Sequence, residues 1–304
     1  MQKVIVIGGS GFIGQALTKK LRNHGLDVTS IGSQQADLTK AGSMKSFSED
    51  YDTIFHLAAW TQAGDFCLYH KGEQWLINQQ INTNVLSWWR EMQPEAKLIA
   101  FGTSCSYEPG SRHVEDEYLI GQPISDLYTY AMTKRMLLIG MQAMSHQFGM
   151  RHLLVVPSTV YGPNYMVEGK QLHFIFDLIR KILAGKHNKE DVILWGDGQQ
   201  RRELIFIDDF LSDLLQLVAL AENEIVNIGA ATDHSIQEFA ELICENVGFN
   251  PDLIIYDEAR YVGAKSKVLN CDKLKSIISN FHRTDLKTGL GKTVDWMQEQ
   301  MKLN

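Results

Sequence analysis

Residues 4–14 of the chain read Val4-Ile5-Val6-Ile7-Gly8-Gly9-Ser10-Gly11-Phe12-Ile13-Gly14, an apolar run followed by glycines at positions 8, 11 and 14. The apolar run predicts a strand, and Ala16-Leu17-Thr18 beyond the last glycine favours a helix. Glycines in such a turn let backbone N–H groups approach a pyrophosphate at the helix N-terminus. The spacing differs from the common G-x-G-x-x-G pattern, so an ordinary turn between strand and helix is the alternative.

The composition indicates a globular protein with reduced cysteines. With 304 residues and 44% hydrophobic content, the chain can bury a sizeable core as one large domain or two smaller ones. A formal net charge of −7 argues against nucleic-acid binding, because such domains usually carry a basic surface. The four cysteines lack C-x-x-C spacing, so we expect free thiols and a cytoplasmic location.

A membrane segment and a metal site are not expected. The first residues lack the apolar segment of a signal peptide, and no stretch reaches the ~20 apolar residues of a membrane span. The histidines show no tight ligand spacing, so no metal is predicted.

Short β-branched runs alternate with helical patterns in the first half of the chain. This alternation predicts a parallel sheet covered by helices, and continuous apolar runs indicate strands that are buried on both faces. Residues 1–165 therefore read as a doubly wound α/β unit, to which residues 205–230 are expected to return. The runs are Val4–Ile7, Thr53–Leu57, Leu98–Phe101 and Leu153–Val156.

The pattern changes after residue 165. Residues 172–183 show helical spacing of apolar side chains, and Ser235 to Glu238 form a capping-box sequence that opens another helix. Residues 166–204 and 231–304 therefore predict a smaller α+β lobe. Further strands are predicted at Val192–Trp195, Leu204–Ile207 and Ile225–Ile228.

Tyr130 and Lys134 are candidates for acid–base chemistry. They stand four residues apart in a helical pattern, so they share a helix face, and the ammonium can lower the pKa of the phenol. That change would make the phenol a working acid or base. Thr103 follows the run at 98–101 and would lie at the carboxyl end of a strand, where open α/β sheets bind ligands. Its hydroxyl could steady an alkoxide.

The expected cofactor is a nicotinamide dinucleotide. NAD-binding folds usually place an acid after the second strand, but here the run Asp27–Ile31 is followed by Gly32-Ser33-Gln34-Gln35. The missing acid favours NADP, while the missing arginine leaves NAD open. Asp37 and Leu38 are placed to contact adenine.

Six motifs together resemble the extended short-chain dehydrogenase/reductases that act on nucleotide sugars, and the resemblance covers nearly the whole chain. Within that family, the pattern is most similar to the GDP-L-fucose synthases, which epimerise a 4-keto sugar and then reduce the ketone. The resemblance implies a Rossmann-type doubly wound parallel sheet with a smaller α+β substrate-binding lobe. The motifs are Gly8-x-x-Gly11-x-x-Gly14, His56-Leu57-Ala58-Ala59, Thr103-Ser104-Cys105-Ser106-Tyr107, Tyr130-Ala131-Met132-Thr133-Lys134, Pro157-Ser158-Thr159-Val160-Tyr161-Gly162-Pro163 and Arg202 to Asp209.

The resemblance also implies roles for single residues. Tyr130 would transfer a proton to or from the sugar oxygen, and Lys134 would hold the nicotinamide ribose and keep Tyr130 acidic. Arg202 would pair with the diphosphate of a nucleoside-diphosphate sugar, with a solvated arginine as the alternative. The other substrate contacts implied are Asn164, Trp195 and Lys267, and those to NAD(P) are Gly8, Ser10, Gly11, Phe12, Ile13, Gly14, Asp37, Leu38, Leu57, Ala58, Ala59, Tyr130, Lys134, Pro157 and Thr159.

A second catalytic pair follows from the similarity to GDP-L-fucose synthases. Cys105 stands two residues after Thr103, and His173 opens the first helix of the smaller lobe, as in their pattern. A thiol and an imidazole on opposite faces of a sugar ring could remove and return protons beside a ketone, since both titrate near neutral pH. The alternatives are a structural Cys105 and a His173 that binds phosphate or caps its helix.

The predicted activity is epimerisation of a 4-keto sugar nucleotide next to the ketone, followed by NAD(P)-dependent reduction at C4. A nucleotide-sugar 4-epimerase or a simple 4-keto reductase would need Thr103, Tyr130 and Lys134 but neither Cys105 nor His173. A non-enzymatic NAD(P) sensor is a further alternative on such a fold, although the presence of Tyr130 and Lys134 argues for chemistry. A homodimer is expected, because dimers are usual in the resembled family.

Overall fold

The computed structural model describes residues 2–62, 66–165, 171–259, 266 and 268–302. The strands are β1 (Lys3–Ile7), β2 (Asp27–Ile31), β3 (Thr53–His56), β4 (Lys97–Phe101), β5 (His152–Pro157), β6 (Thr159–Tyr161), β7 (Val192–Trp195), β8 (Arg201–Arg202), β9 (Leu204–Phe206), β10 (Glu224–Ile228), β11 (His234–Ser235) and β12 (Ile254–Asp257). The α-helices are α1 (Phe12–Asn23), α2 (Phe66–Tyr69), α3 (Lys71–Met92), α4 (Tyr128–Phe148), α5 (Phe174–Asn188), α6 (Ile207–Leu220), α7 (Ile236–Val247), α8 (Asp272–Ile277) and α9 (Leu286–Met301). Single 3-10 turns lie at Ser104–Ser106, Glu115–Glu117, Ser125–Leu127 and Pro251–Leu253.

A six-stranded sheet forms the centre of the molecule, in the order β10-β5-β4-β3-β1-β2. Every neighbouring pair in it is parallel. All residues of β3 and β4 are buried, as expected for strands with helices on both faces. The predicted doubly wound parallel sheet is therefore confirmed, and each predicted strand occurs within one or two residues of its expected bounds.

The sheet has a topological switch point at β1. The chain leaves β1 toward β2 on one side and later returns to β3 on the other side. Ile7 pairs with Ile31 of β2 and with His56 of β3, so the carboxyl ends of all three strands are level. A crevice at this position is where open α/β sheets bind ligands.

Strand β10 lies far along the chain and still completes the central sheet. It pairs with β5 from Glu224 opposite Leu153 to Ile228 opposite Pro157, as expected for a segment that returns to the first unit. The lobe boundaries that we predicted remain a proposal.

The remaining strands form two-stranded sheets. They pair as β6 with β9, β7 with β12 and β8 with β11. Helices α5, α7 and α9 pack against one another beside them. The predicted capping box at the start of α7 is present, because Ser235 and Glu238 each accept a backbone hydrogen bond from the other. No helix in the described ranges is long and apolar enough to cross a membrane.

Candidate active site

The glycine loop lies at the switch point and is packed too closely for side chains at two positions. Gly8 has a left-handed φ of +89°, and a Cβ there would lie 2.8 Å from the backbone nitrogen of Ala58 at the end of β3. A Cβ on Gly14 would overlap the carbonyl oxygen of Gly8. The loop therefore turns tightly into α1 only because both positions lack a side chain.

Helix α1 presents its N-terminus at the end of this loop. Gly11 precedes the helix and supplies no side chain to cap it, so backbone N–H groups of the first turn are available to an anion. The residues present thus fit the pyrophosphate of a dinucleotide. The absent side chains of Gly8 and Gly14 leave a cradle that two Cβ atoms would fill, and the N-terminus of α1 lies at the end of the same loop.

Other expected cofactor contacts lie along the same edge of the sheet. The Leu57 amide donates to the Ile7 carbonyl at 2.8 Å, which holds Ala58 and Ala59 beside the glycine loop. Pro157 ends β5 and Thr159 begins β6. Ser10 is exposed and Phe12 and Ile13 are partly buried at the start of α1. Their contacts with a cofactor remain predictions.

The two residues expected to contact adenine differ in exposure. Asp37 is half-exposed, and its carboxylate accepts hydrogen bonds from the backbone and hydroxyl of Thr39 at 3.1 and 2.6 Å, which lower its pKa. Leu38 is largely buried in the hydrophobic core, and its carbonyl accepts from Asn84. Little of the Leu38 side chain is therefore open to a nucleotide.

Thr103 and Tyr130 meet at the carboxyl end of the sheet. Thr103 follows β4, is buried, and accepts the Cys105 amide on its hydroxyl at 3.2 Å. The Thr103 side chain also interacts with the Tyr130 phenol, and this interaction lowers the pKa of the phenol. The Thr103 backbone N–H in turn donates to the hydroxyl of Tyr118 at 3.3 Å. Tyr118, which the sequence did not single out, therefore holds the backbone of Thr103 in place.

The pKa of Tyr130 is raised in the structure, whereas its helical spacing from Lys134 predicts a lowered pKa. Burial is the largest cause of a raised pKa at Tyr130, and the nearby Cys105, Tyr118 and Cys67 raise it further. The interaction with Thr103 lowers this pKa, but by less. Lys134 is not among the largest causes of the shift. In this structure desolvation therefore outweighs any acidifying effect of Lys134, and the net shift is opposite to the expected one. Tyr130 is a neutral phenol at neutral pH and can donate a proton.

Lys134 is buried beside His56. Burial lowers the pKa of Lys134 to about 8, and no carboxylate in the described ranges counters the effect. Burial, with a smaller effect of the Lys134 charge, lowers the pKa of His56 to about 4, so the imidazole is neutral. Its Nε2 lies 3.2 Å from the Asn82 side-chain oxygen, and the Asn82 amide donates to the Thr133 carbonyl. This chain of contacts fixes α4 next to β3.

Two thiols lie near the Tyr130 phenol. Cys105 is partly exposed and Cys67 is buried, and both raise the pKa of Tyr130. Cys105 thus lies near the Tyr130 phenol. Cys67 was not predicted there; Gln74 donates to its sulfur at 3.1 Å. A thiol in a four-residue helix carries no sequence pattern that could have identified it.

His173 is the residue preceding α5, with an extended backbone. Its carbonyl accepts from the amides of Phe176 and Asp177 at 2.9 and 3.1 Å. The helix it opens packs through Phe176 against Phe12 of the glycine-loop end. His173 therefore directly precedes a helix, as expected, whereas its pairing with Cys105 remains a prediction.

The expected substrate contacts lie on separate elements. Asn164 is exposed with a left-handed φ of 69° in the turn after β6. Trp195 is 54% exposed at the end of β7, so its ring is not part of the hydrophobic core. Arg202 on β8 is half-buried, and burial lowers its pKa. Lys267 lies outside the described residues.

A pyrophosphate cradle at a switch point, with a phenol that can donate a proton beside it, characterises nicotinamide-dependent enzymes acting on a ketone or an alcohol. The model of the NAD dependent epimerase/dehydratase family matches residues 4–229. The chain therefore belongs to that family.

Individual relatives resemble the chain over nearly its whole length. GDP-L-fucose synthase 1 of Arabidopsis thaliana is 28% identical over 97% of this chain and 92% of its own length. The dTDP-4-dehydro-6-deoxy-D-allose reductase of Streptomyces bikiniensis is 26% identical over 98% of this chain and 97% of its own. Among solved structures, a GDP-L-fucose synthetase from Naegleria fowleri bound to NADP superimposes with a TM-score of 0.86 at 21% identity, covering 99% of this chain and 95% of the other.

Proposed function

We propose that this protein is an NADP-dependent epimerase/reductase of a 4-keto sugar nucleotide. The observation that carries the proposal is the cluster of Thr103, Tyr130 and the Cys105 thiol at the carboxyl edge of the sheet. The first two groups suit reduction of a ketone, and the thiol adds a group that could exchange a proton at the neighbouring carbon.

In the reduction, Tyr130 donates a proton to the C4 oxygen. Its raised pKa keeps it protonated until the oxygen gains negative charge, and an alkoxide is basic enough to take that proton. The Thr103 hydroxyl, held by the Cys105 amide, stabilises the same oxygen. A bound nicotinamide supplies the hydride to C4. Lys134 places its ammonium on the face of α4 that carries Tyr130, where it can hold a ribose hydroxyl.

In the epimerisation, Cys105 and His173 exchange the proton on carbons next to the ketone. The ketone acidifies that proton, and Thr103 and Tyr130 stabilise the enolate oxygen that forms. One group removes the proton from one face, and the other returns it to the opposite face.

The substrate would bind through its diphosphate at Arg202. The half-buried guanidinium of Arg202 suits this role, because its fork of N–H donors matches the oxygens of a diphosphate. The exposed ring of Trp195 suits stacking on a base. GDP is the proposed nucleotide, because several similar proteins are GDP-L-fucose synthases. NADP is proposed over NAD, because the loop after β2 carries no acid.

A homodimer formed through α3 and α4 is part of the proposal. These helices pack against each other and expose Leu76, Met136 and Ile139 at 61%, 38% and 43%. Exposed apolar side chains on two long helices that pack together favour association. We also propose a cytoplasmic location; all four cysteines lie in the described ranges and none forms a disulfide there.

The test is incubation with GDP-4-keto-6-deoxymannose and NADPH in deuterated water. We expect NADPH oxidation, and deuterium at C3, C5 or both in the product. Tyr130→Phe should slow reduction at least about 100-fold while NADPH still binds. Reduction without deuterium at either carbon would contradict epimerisation.

A simple 4-keto reductase is the second candidate, favoured by the dTDP-4-dehydro-6-deoxy-D-allose reductase among the similar proteins. It predicts reduction with no deuterium at C3 or C5, and full activity in Cys105→Ala. A dTDP-linked substrate in the same assay separates the two nucleotides. NADPH binding with no turnover on any of these substrates would favour a sensor.

A further inference from the structure

Arg135 is a buried cation that directly follows Lys134 on α4. All of its hydrogen bonds within the described ranges run to backbone carbonyl oxygens. A planar fork of five donors can serve several carbonyls at once, which the compact ammonium of a lysine cannot match. The acceptors are Ser106, at 3.1 and 2.5 Å, Leu119 at 3.5 Å, Ile120 at 2.8 Å and Gly121 at 2.8 Å. The guanidinium therefore joins α4 to two loops, one at Ser106 and one at 119–121.

The first of these loops is the turn at 103–106, which carries two groups of the candidate site, Thr103 and Cys105. Both ends of the turn are attached to one phenol. The Thr103 N–H donates to the Tyr118 hydroxyl at 3.3 Å, and the Ser106 hydroxyl lies 3.1 Å from the same oxygen. Tyr118 directly precedes the second loop that the guanidinium binds. Cys105 therefore stands between two residues whose positions are fixed by buried hydrogen bonds.

The same contacts set the position of the turn relative to Tyr130. Tyr130 lies in the first turn of α4, and Arg135 lies five residues further along that helix. The helix fixes the guanidinium relative to the phenol, and the guanidinium in turn holds the Ser106 carbonyl. If that carbonyl moved, Thr103 and Cys105 would move away from their places beside the phenol. A misplacement of about 1 Å can cost about a hundredfold in rate.

We propose that Arg135 is a positioning residue, which holds the turn at 103–106 against the helix of the Tyr130 phenol, and that turnover needs it whereas NADPH binding does not. The inference rests on the proposed epimerase/reductase function, in which groups of the turn and the phenol act on one sugar. It assigns no proton transfer to Arg135, which acts only through the backbone carbonyls that it binds.

The experiment compares Arg135→Met, which removes the charge and the donors, with Arg135→Lys, which keeps the charge and loses the fork. The first readout is kcat and KM for NADPH oxidation with GDP-4-keto-6-deoxymannose, together with NADPH binding in a fluorescence titration. The second readout needs no substrate. It is the rate at which iodoacetamide alkylates Cys105, followed by mass spectrometry, since this thiol is partly exposed.

Lys97→Met is the matched control. Lys97 is also a buried cation, and it donates to the carbonyls of Val218, at 2.7 Å, and Ala221. It begins β4, whereas the turn at 103–106 follows the other end of that strand. The control therefore removes the same kind of hydrogen bond at a distance from the candidate site.

We expect Arg135→Met to lower kcat at least about tenfold, while KM and the NADPH dissociation constant stay within about twofold of wild type. Alkylation of Cys105 should become at least about threefold faster, because the turn opens more often. Arg135→Lys should be intermediate in both readouts, because a lysine replaces the charge but not the fork. Lys97→Met should change neither readout by more than about twofold, although it lowers stability.

Three results would overturn the inference. Wild-type kcat in Arg135→Met shows that the turn does not need the guanidinium; if that variant does not fold, wild-type kcat in Arg135→Lys has the same meaning. Equal effects in Lys97→Met show that lost stability alone explains the result. An equally large loss of NADPH binding indicates a general structural role. Wild-type protein without turnover on 4-keto sugar nucleotides contradicts the proposed function, and the alkylation rates then still test whether Arg135 holds the turn.

Discussion

Replacing Lys134 by methionine should stabilise the protein while abolishing its proposed reaction. The Lys134 ammonium is buried with no opposing carboxylate in the described ranges, and its pKa falls from 10.5 to about 8. Folding therefore desolvates a charge that the unfolded chain keeps in water. Methionine has nearly the same shape and no charge, so Lys134→Met removes this cost.

The magnitude follows from the pKa. The fall from 10.5 to about 8 corresponds to about 3 kcal/mol of lost stability at pH 7, since each tenfold change in proton affinity is worth about 1.4 kcal/mol. Imperfect packing of the methionine should take back about 1 kcal/mol. The expected net gain is about 2 kcal/mol, or about 3 °C in Tm for a chain of this length.

The measurement is urea unfolding followed by circular dichroism, without dinucleotide, at several pH values. Between pH 8 and 10.5 the folded wild type loses the Lys134 proton while the unfolded chain retains it, so wild-type stability rises with pH in this window. The advantage of Lys134→Met should therefore be full at pH 7 and disappear by about pH 10.5.

Lys97 provides the matched control. Its ammonium is also buried and its pKa is also lowered by burial, but it donates to the carbonyls of Val218, at 2.7 Å, and Ala221. Lys97→Met leaves both acceptors without that donor and should destabilise by about 1–3 kcal/mol. If Lys134→Met is as destabilising as Lys97→Met, or if its effect does not change between pH 7 and 10.5, the reasoning about the buried ammonium is wrong.

Three further outcomes are expected. Gly14→Ala should destabilise the protein and weaken NADPH binding at least about tenfold, because its Cβ meets the Gly8 carbonyl; Gly72→Ala, also helical but with open space around it, should stabilise by about 0.5–1 kcal/mol. Arg202→Gln should weaken binding of a GDP-sugar at least about tenfold in calorimetry and leave NADPH binding intact, whereas Arg201→Gln should have little effect on either, because Arg201 is paired with Asp233 and Glu238; equal losses would refute the assignment. Ile139→Lys should convert the proposed dimer into monomers in sedimentation experiments, and a wild-type monomer would remove that proposal.

The sequence predicted the framework because the framework depends on local patterns. Buried parallel strands need continuous apolar runs, so β1, β3, β4 and β5 could be located directly. The pattern at 225–228 likewise predicted β10 as a strand, but its place in the sheet is seen only in the fold. Strands β8 and β11, of two residues each, are fixed by their neighbours and leave no such pattern.

The sequence indicated the residues of the candidate site, but it did not indicate how burial changes their pKa values. Tyr130 and Lys134 share a helix face as their spacing requires, but spacing does not report burial, and burial sets both pKa values. Tyr118 was missed because it acts through a hydrogen bond to a residue of another segment. Only the folded arrangement shows such a bond.

The late arrival of β10 has a consequence for folding during synthesis. Until residue 228 has left the ribosome, β5 has no partner on one side, and a buried, apolar strand edge is open to pairing with other chains. A fragment ending near residue 165 would expose that same edge permanently. We therefore expect the dinucleotide-binding half to fold only together with the chain that follows it, and such a fragment to aggregate when it is expressed alone.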